Sequence, residues 1–455
     1  MGSAAFGAVV TVTDLLPPRV RYGYVHRLTR GVWARPIPCV LAHPPAAATH
    51  GAEVAVAPED ITCALVAGSL DVGGIGAVVE VLASELRELS VRPVIICAAD
   101  GDRARRLRGS GIEVRVAASP EAAAAALREV APAVIELHGA PQHLEDVAMA
   151  SGVSLIPVLH NTEIHYSRAR WKRFRRVLAA SPLAIAVSET VRAFHARHAG
   201  AQLGARIEVV ANSSQVQQPV TGEERRAARD RLGIVTGSVL GDDDVVFVCL
   251  ARYDAQKNIA GLVSSFVGHV GDRRARLIVA GEPSDWAEYR RADAIRRAGA
   301  GGNRVTLLGA SDARTLLAGA DAFVLDSFFE GWPVAATEAA GVGLPLILAD
   351  FGGARELVRS DPGRSMLIPN ACGAAESVSD RAVARARRAT RRQGNAAALA
   401  GAIEEVARRV RSDGIPQSKE RASSGAMARE HAQVIHRISG ARMNLVETGR
   451  SGSWG

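Results

Sequence analysis

The feature that most constrains the fold is a series of short apolar runs, each of strand length, alternating with helical stretches across Gly-rich or polar junctions. From Ile61 onward these runs are ITCALVA, VRPVIICA, IEVRVA, AVIEL, VSLIPVL, LAIAV and RIEVV. Strands of this kind separated by helices imply parallel sheets built from βαβ units. The pattern breaks at residues 211–222, where ANSSQVQQPVTG is polar, carries Pro and Gly, and precedes a charged helix. A second series follows: VVFVCLA, RLIVAG, NRVTLLG, DAFVLD and LPLILAD. Two series of about 150 residues each predict two doubly wound α/β domains facing each other across a cleft. Ligands in such sheets bind outside the carboxyl ends of the strands, so the loops that follow these runs are where chemistry is expected.

The boundaries follow from these patterns. Residues 1–58, rich in Pro, Ala and small residues, read as a flexible extension, 59–215 as the first domain and 216–412 as the second. Within the second, the Arg/Ala-rich stretch 371–395 reads as a surface insertion, and a helix at 424–440 is placed to pack back on the first domain. The length of 455 residues, with 48% apolar and 22% charged residues, fits soluble domains of this kind and excludes collagen-like, disordered and coiled-coil classes.

No window reaches the roughly 18 apolar residues that a membrane span requires. Five cysteines without a CxxC fit a reducing compartment, and Cys63, Cys97 and Cys249 lie in apolar runs as small core residues. A cytoplasmic protein is expected. The net charge of +8 permits phosphate, anionic lipid or nucleic acid as partner and does not choose among them. The pair His195 and His198 and the triplet Asp242, Asp243 and Asp244 lack the further ligands of a metal site, so no metal or cofactor is expected.

The most informative stretch is DAFVLDSFFEGWPVAATEAAGVGLPLILAD, residues 321–350. A buried strand leads into a loop holding Glu330, then Gly331, Trp332 and Pro333, then a helix of small residues holding Glu338. Acidic residues near a helix start stabilise it by about 0.3–1 kcal/mol with no ligand at all, which is the plain alternative. The loop LARYDAQKNIAGL adds Arg252 and Lys257 directly after the first strand of the second domain. Cations are disfavoured beside a helix start, so a structural account of this pair is weaker. Two cations for a diphosphate, with two carboxylates to accept hydrogen bonds from sugar hydroxyls, compose a nucleotide-sugar site. In the first domain AGSLDVGGIGAVVEVL places Gly73, Gly74 and Gly76 between strand and helix, and VLHNTE places His160 just after a strand. Either feature alone is equally compatible with a tight turn or a structural histidine.

Together these strings resemble the retaining glycosyltransferases of family 4, with a GT-B fold, over roughly residues 60–440 and most strongly over 245–358. Glu330 and Glu338 reproduce that family's pair of glutamates with seven residues between them, and ARYDAQKN its Arg–Lys loop. The resemblance implies transfer of a hexosyl group from a UDP- or GDP-sugar to an acceptor hydroxyl with retention of configuration. It implies Arg252 and Lys257 on the diphosphate and Glu338 on the ribose. Glu330 would meet the transferred sugar, the amides of Gly331 and Trp332 the phosphate, and the glycine-rich loop and His160 the reacting groups. Ala251 stands where the family has Gly, and Asn212-Ser213 where it has Asn-Gly, which bears on the subfamily.

The acceptor is less well specified. HYSRARWKRFRRVL, residues 165–178, reads as a basic helix interleaved with aromatics. It could lie on anionic membrane at the inner face or be a solvated face with its aromatics inside. Nucleic acid is not expected. The alternatives are a basic membrane- or nucleic-acid-binding protein on an inactive scaffold, or a sugar-nucleotide epimerase or hydrolase.

Overall fold

The computed structural model describes residues 34–41, 60–70, 73–213, 219–413 and 425–440, with isolated positions at 12 and 16. The first series of apolar runs forms seven strands: β1 (Ile61–Ser69), β2 (Val91–Ala99), β3 (Glu113–Val116), β4 (Val134–His138), β5 (Ser154–Leu159), β6 (Ala184–Ala186) and β7 (Ile207–Val209). They join in one sheet of order β3-β2-β1-β4-β5-β6-β7, every pair parallel. The second series forms β8 (Val245–Leu250), β9 (Ala275–Ala280), β10 (Val305–Leu308), β11 (Ala322–Leu325), β12 (Leu346–Ala349) and β13 (Met366–Ile368). These make a second parallel sheet of order β10-β9-β8-β11-β12-β13. Strands covered by helices on both faces must be apolar on both alternations, which is why these runs are continuous rather than alternating.

In each sheet the strand order reverses direction beside the first strand, between β1 and β4 in the front lobe and between β8 and β11 in the rear. Crossovers leave opposite ways from these two points, which opens a crevice at the strand carboxyl ends. The front lobe carries helices α1 (Gly74–Glu85), α2 (Asp102–Gly109), α3 (Gln142–Ala150), α4 (Arg168–Ala179) and α5 (Glu189–Ala199), and in the rear lobe α6 (Ile259–His269) packs against Ala396–Asp413. The rear lobe adds α7 (Val334–Gly341), α8 (Asp380–Arg388) and α9 (Ala396–Asp413). The last, α10 (Ala426–Ser439), packs against α1, β1 and β4, so the chain ends its described course on the front lobe.

The structure corrects three expectations. Met366–Ile368 adds a strand at the sheet edge that the sequence pattern had not marked, because three residues are too few to show a period. The stretch 371–395 is not a surface insertion. Val378, Val383 and Ala386 pack with Phe328, Phe329 and Phe351 in an apolar cluster, and Gln393 and Asn395 are buried behind the rear site. Its arginines had suggested solvent, but Arg387 is buried against Glu288, to which it donates a hydrogen bond. The extension is not free throughout either. Residues 34–41 lie along the rear lobe, where Gly309 and Asp312 donate backbone hydrogen bonds to Pro38 and Val40, each at 2.8 Å. The rest of 1–58 lies outside the described residues, apart from the isolated positions.

Candidate functional site

The rear half of the site is built by two loops that leave adjacent strands at the reversal point. The loop after β8 carries Arg252, Asp254 and Lys257, and the loop after β11 carries Asp326 and Glu330. Asp254 organises the first: its Oδ1 accepts the backbone N–H of Gln256 at 3.0 Å and of Lys257 at 3.1 Å, and its other oxygen pairs with Arg252 at 3.1 Å. Burial pushes the Asp254 carboxyl up despite Arg252 and Lys257. The Lys257 ammonium reaches Glu330 Oε1 at 2.5 Å, and Gln256 donates to the Phe329 carbonyl at 2.9 Å. Lys257 is one of three lysines in a chain that otherwise uses arginine, and a compact ammonium fits a point contact between carboxylate and phosphate.

A second layer fixes both loops from behind. Asn258 sits in the left-handed region at φ 50°, which Asn tolerates better than most residues. Its amide donates to Asp326 at 2.9 Å and exchanges hydrogen bonds with Gln393, while Asn395 donates to the other Asp326 oxygen at 2.8 Å. Asp326 is fully buried with only neutral amides as partners, and burial pushes its carboxyl up to about 7.

Helix α7 starts after Pro333, and Glu338 lies just past its first turn. Among the described residues the Glu338 carboxylate makes no hydrogen bond and no ion pair. Burial pushes its carboxyl up, and the charge that opposes this is Arg103 of α2, across in the front lobe. The Trp332 ring is buried over Gly353 and its indole donates to Thr337 at 2.8 Å, so only the backbone of Trp332 faces the site. Gly331 has no room for a side chain, since a Cβ there would sit 1.7 Å from the His160 carbonyl oxygen. Ser188, the N-cap of α5, donates to the Gly331 carbonyl at 3.0 Å, and Thr190 donates to that of Gly352 at 3.2 Å. The two lobes thus meet at Gly331.

On the front side Gly73 has φ 152°, a conformation that side chains rarely adopt, and Gly74 lies against Val334 at the start of α7. Gly76 is buried in the first turn of α1. Behind this loop, His160 follows β5 and its Nε2 is 3.0 Å from His138 Nδ1. His138 Nε2 is in turn 3.1 Å from Glu136 Oε2, and the other Glu136 oxygen meets His431 Nδ1 of α10 at 2.9 Å. Burial holds His138 below the ordinary imidazole range and His160 well below it.

The structure therefore brings Lys257 and Glu330 into contact, ties Arg252 to their loop through Asp254, and sets Glu330 one residue from the Gly331–His160 junction. Glu338 and the glycine loop border the same crevice through Arg103 and Val334. Asp254, Glu136, His138 and His431 escaped sequence reasoning, and Ser188 was legible there only as a helix cap. The signal that could have found Glu136 and His138 was ionisable residues inside and at the end of a buried strand run. In the basic helix, which begins at Arg168 behind the Ser167 cap, Trp171 and Phe174 turn inward onto His198 and His195. Arg170 and Arg173 pair with Glu145 of α3, leaving Arg168, Lys172, Arg175 and Arg176 exposed. Among the described residues no group of three or more His, Cys, Asp or Glu side chains could hold a metal, and no helix is long and apolar enough to cross a membrane.

Comparison with known proteins agrees with this architecture. Residues 72–214 match the Glycosyltransferase Family 4 domain and residues 244–384 the Glycosyl transferases group 1 domain. No curated protein matches the chain. Among solved structures, HepE from Anabaena in complex with UDP-glucose superposes with a TM-score of 0.61 at 17% identity, over 83% of this chain and 100% of HepE. Sucrose-phosphate synthase from Thermosynechococcus elongatus gives 0.57 at 17% identity, over 84% and 100%. The catalytic domain of Starch Synthase IV from Arabidopsis thaliana, bound to ADP and acarbose, gives 0.58 at 15% identity, over 84% and 100%. The front lobe carries a family 4 domain and the rear lobe a group 1 domain, and the chain is a glycosyltransferase of GT-B architecture.

Proposed function

We propose that the protein transfers a hexosyl group from a nucleoside diphosphate sugar to an acceptor hydroxyl with retention of anomeric configuration. The observation that carries this reading is adjacency. Glu330 is held by Lys257 at 2.5 Å, and the next residue, Gly331, lies directly against His160. Arg252, Lys257 and the amides of Gly331 and Trp332 bind the diphosphate, Glu338 accepts from the ribose hydroxyls, and Glu330 accepts from the transferred sugar. The unpaired state of Glu338 supports its part, because a half-buried carboxylate without a partner is costly unless a ligand supplies donors.

As the glycosidic bond lengthens, negative charge gathers on the departing diphosphate while the sugar becomes cationic. A fixed cation there acts on charge that develops only in the transition state, and removing one such group costs about 10²–10³ in rate. Retention requires the acceptor on the face that the diphosphate leaves, and His160 with the glycine loop of Gly73, Gly74 and Gly76 forms that side. The reaction runs on protein charge and positioning alone, with no cofactor. A UDP-sugar is the first donor to test, since HepE is seen with UDP-glucose, and GDP-sugars come next.

None of the five cysteines is paired, which supports a cytoplasmic location. The exposed cations of α4 support adsorption to an anionic inner membrane face by charge alone, because the aromatics that would insert are spent on the interior.

A thermal-shift screen of UDP-, GDP- and ADP-sugars tests the site. One nucleotide class should raise the melting temperature by a few degrees, as expected for about 2.7 kcal/mol at a hundredfold excess over Kd. Glu338→Ala should remove most of that shift, and a screen that moves neither protein would end the proposal. NMR of the product's anomeric proton then reads retention. Release of nucleoside diphosphate without acceptor would favour a hydrolase.

A further inference from the structure

The front lobe holds a chain of four ionisable side chains that the transfer chemistry above uses only at its last member. Glu136 sits in the middle of β4, fully buried among parallel strands, where an apolar residue would pack at no electrostatic cost. Its two oxygens meet two imidazoles from elements far apart in sequence, His138 at the end of β4 and His431 on α10. The next contact runs from His138 to His160, at the mouth of the crevice.

Hydrogen-bond polarity along this chain is determined from one end. A carboxylate only accepts, so both nitrogens that face Glu136 must carry protons: Nδ1 of His431 and Nε2 of His138. A neutral His138 then has a bare Nδ1, which can only accept. His160 must therefore donate from Nε2, and its own Nδ1 is left unprotonated. The low values of His138 and His160, both set by burial, agree with neutral rings. Burial pushes the Glu136 carboxyl up, but His431 and His138 outweigh it and hold it at about 2.

We propose that Glu136 is a positioning residue of the transfer reaction: acting through His138 and anchored by His431, it holds His160 as the Nε2–H tautomer with Nδ1 free to accept a hydrogen bond from a sugar hydroxyl. This rests on the reading of His160 as part of the reacting centre. A fold-stabilising network that merely pins α10 to the sheet would need the same contacts but would not depend on which nitrogen of His160 carries the proton. The arrangement also makes the reacting face depend on α10, which supplies a residue 295 positions from Glu136.

The test is long-range nitrogen–proton NMR of the full chain labelled at histidine, with His160 assigned from the signals missing in His160→Gln. In the wild type His160 should read as Nε2–H; an Nδ1–H reading would overturn the proposal, and this measurement does not depend on a Glu136 variant folding. Glu136→Gln should invert it. A carboxamide has one oxygen, so one neighbouring imidazole must turn its acceptor inward. Among the described residues His431 Nε2 has no partner, so a proton moved there would be buried and orphaned, and the change falls on His138 and then on His160. The tautomer of His160 should become Nδ1–H and kcat should fall about tenfold with the donor KM unchanged. Glu136→Asp should keep the wild-type tautomer and recover most of kcat. An unchanged tautomer in a folded Glu136→Gln protein would refute the inference, and so would an inverted tautomer with wild-type kcat. Absence of transfer by the wild type with every donor would instead sink the proposed function, and the NMR result would still stand on its own.

Discussion

Two carboxyl groups behind the two halves of the site invite comparison, because they are equally buried and titrate in opposite directions. Glu136, in the middle of β4, and Asp326, just after β11, each accept two side-chain hydrogen bonds. Burial pushes both up. At Glu136 the neighbours are imidazoles, which can carry positive charge, and they bring it down to about 2. At Asp326 the neighbours are the neutral amides of Asn258 and Asn395, which offset burial only in part and leave it at about 7. Burial and hydrogen-bond count therefore do not decide ionisation; the charge available to the partner does. The front lobe uses its buried anion to set the polarity of neutral rings, and the rear lobe uses its buried acid to fix the loops that carry the Lys257–Glu330 ion pair.

The largest way to break this division is Lys257→Ala. It removes the cation from the donor side and leaves Glu330 buried without it, so kcat/KM should fall about 10³-fold while the lobes stay folded. Steady-state kinetics beside circular dichroism would check it, and a loss under fivefold would move the diphosphate site elsewhere.

The pH dependence of stability sharpens the comparison with a smaller effect. An unfolded Asp titrates near 3.9 and an unfolded Glu near 4.3. Between about pH 4 and 7, Asp326 in the folded protein holds a proton that the unfolded chain has released, so its contribution falls as pH rises, by at most about 1.4 kcal/mol per unit. Glu136 has the opposite sign: its contribution is complete above about pH 4.3 and is lost as pH falls toward 2. Asp326→Asn should therefore flatten the loss on the neutral side, and Glu136→Gln the loss on the acid side. Denaturant titrations of the three proteins from pH 3 to 8 would show it, and parallel curves would mean that neither carboxyl is perturbed as described.

The smallest expected effect concerns α4. Reversing charge at Arg168 and Arg176 should cut pelleting with anionic vesicles several-fold at low salt and leave transfer to a water-soluble acceptor unchanged. Equal pelleting of wild type and variant would remove α4 as the contact.

How much was legible in the sequence depended on distance along the chain. The strand runs, the glycine loop, the Glu330–Glu338 spacing and the Arg252–Lys257 loop each lie within one short segment, so local pattern carries them. Asp254 lies inside that loop, but nothing local marks it as the residue that orders the loop's amides. Ser188 was legible as a cap and not as the donor to Gly331, which is 143 positions away. The stretch 371–395 misled because Arg and Ala read as solvent-facing, whereas Gln393 and Asn395 close the network behind Asp326.

Periodicity and turn chemistry are properties of neighbours in sequence, and they were enough to determine two parallel sheets and the loops that carry charge. Ionisation states and proton positions are properties of neighbours in space. Only the folded protein decides that His431 reaches Glu136, that His160 abuts Gly331 and that Lys257 meets Glu330, because in a low-dielectric interior each charge is set by whatever the packing places within about 4 Å of it.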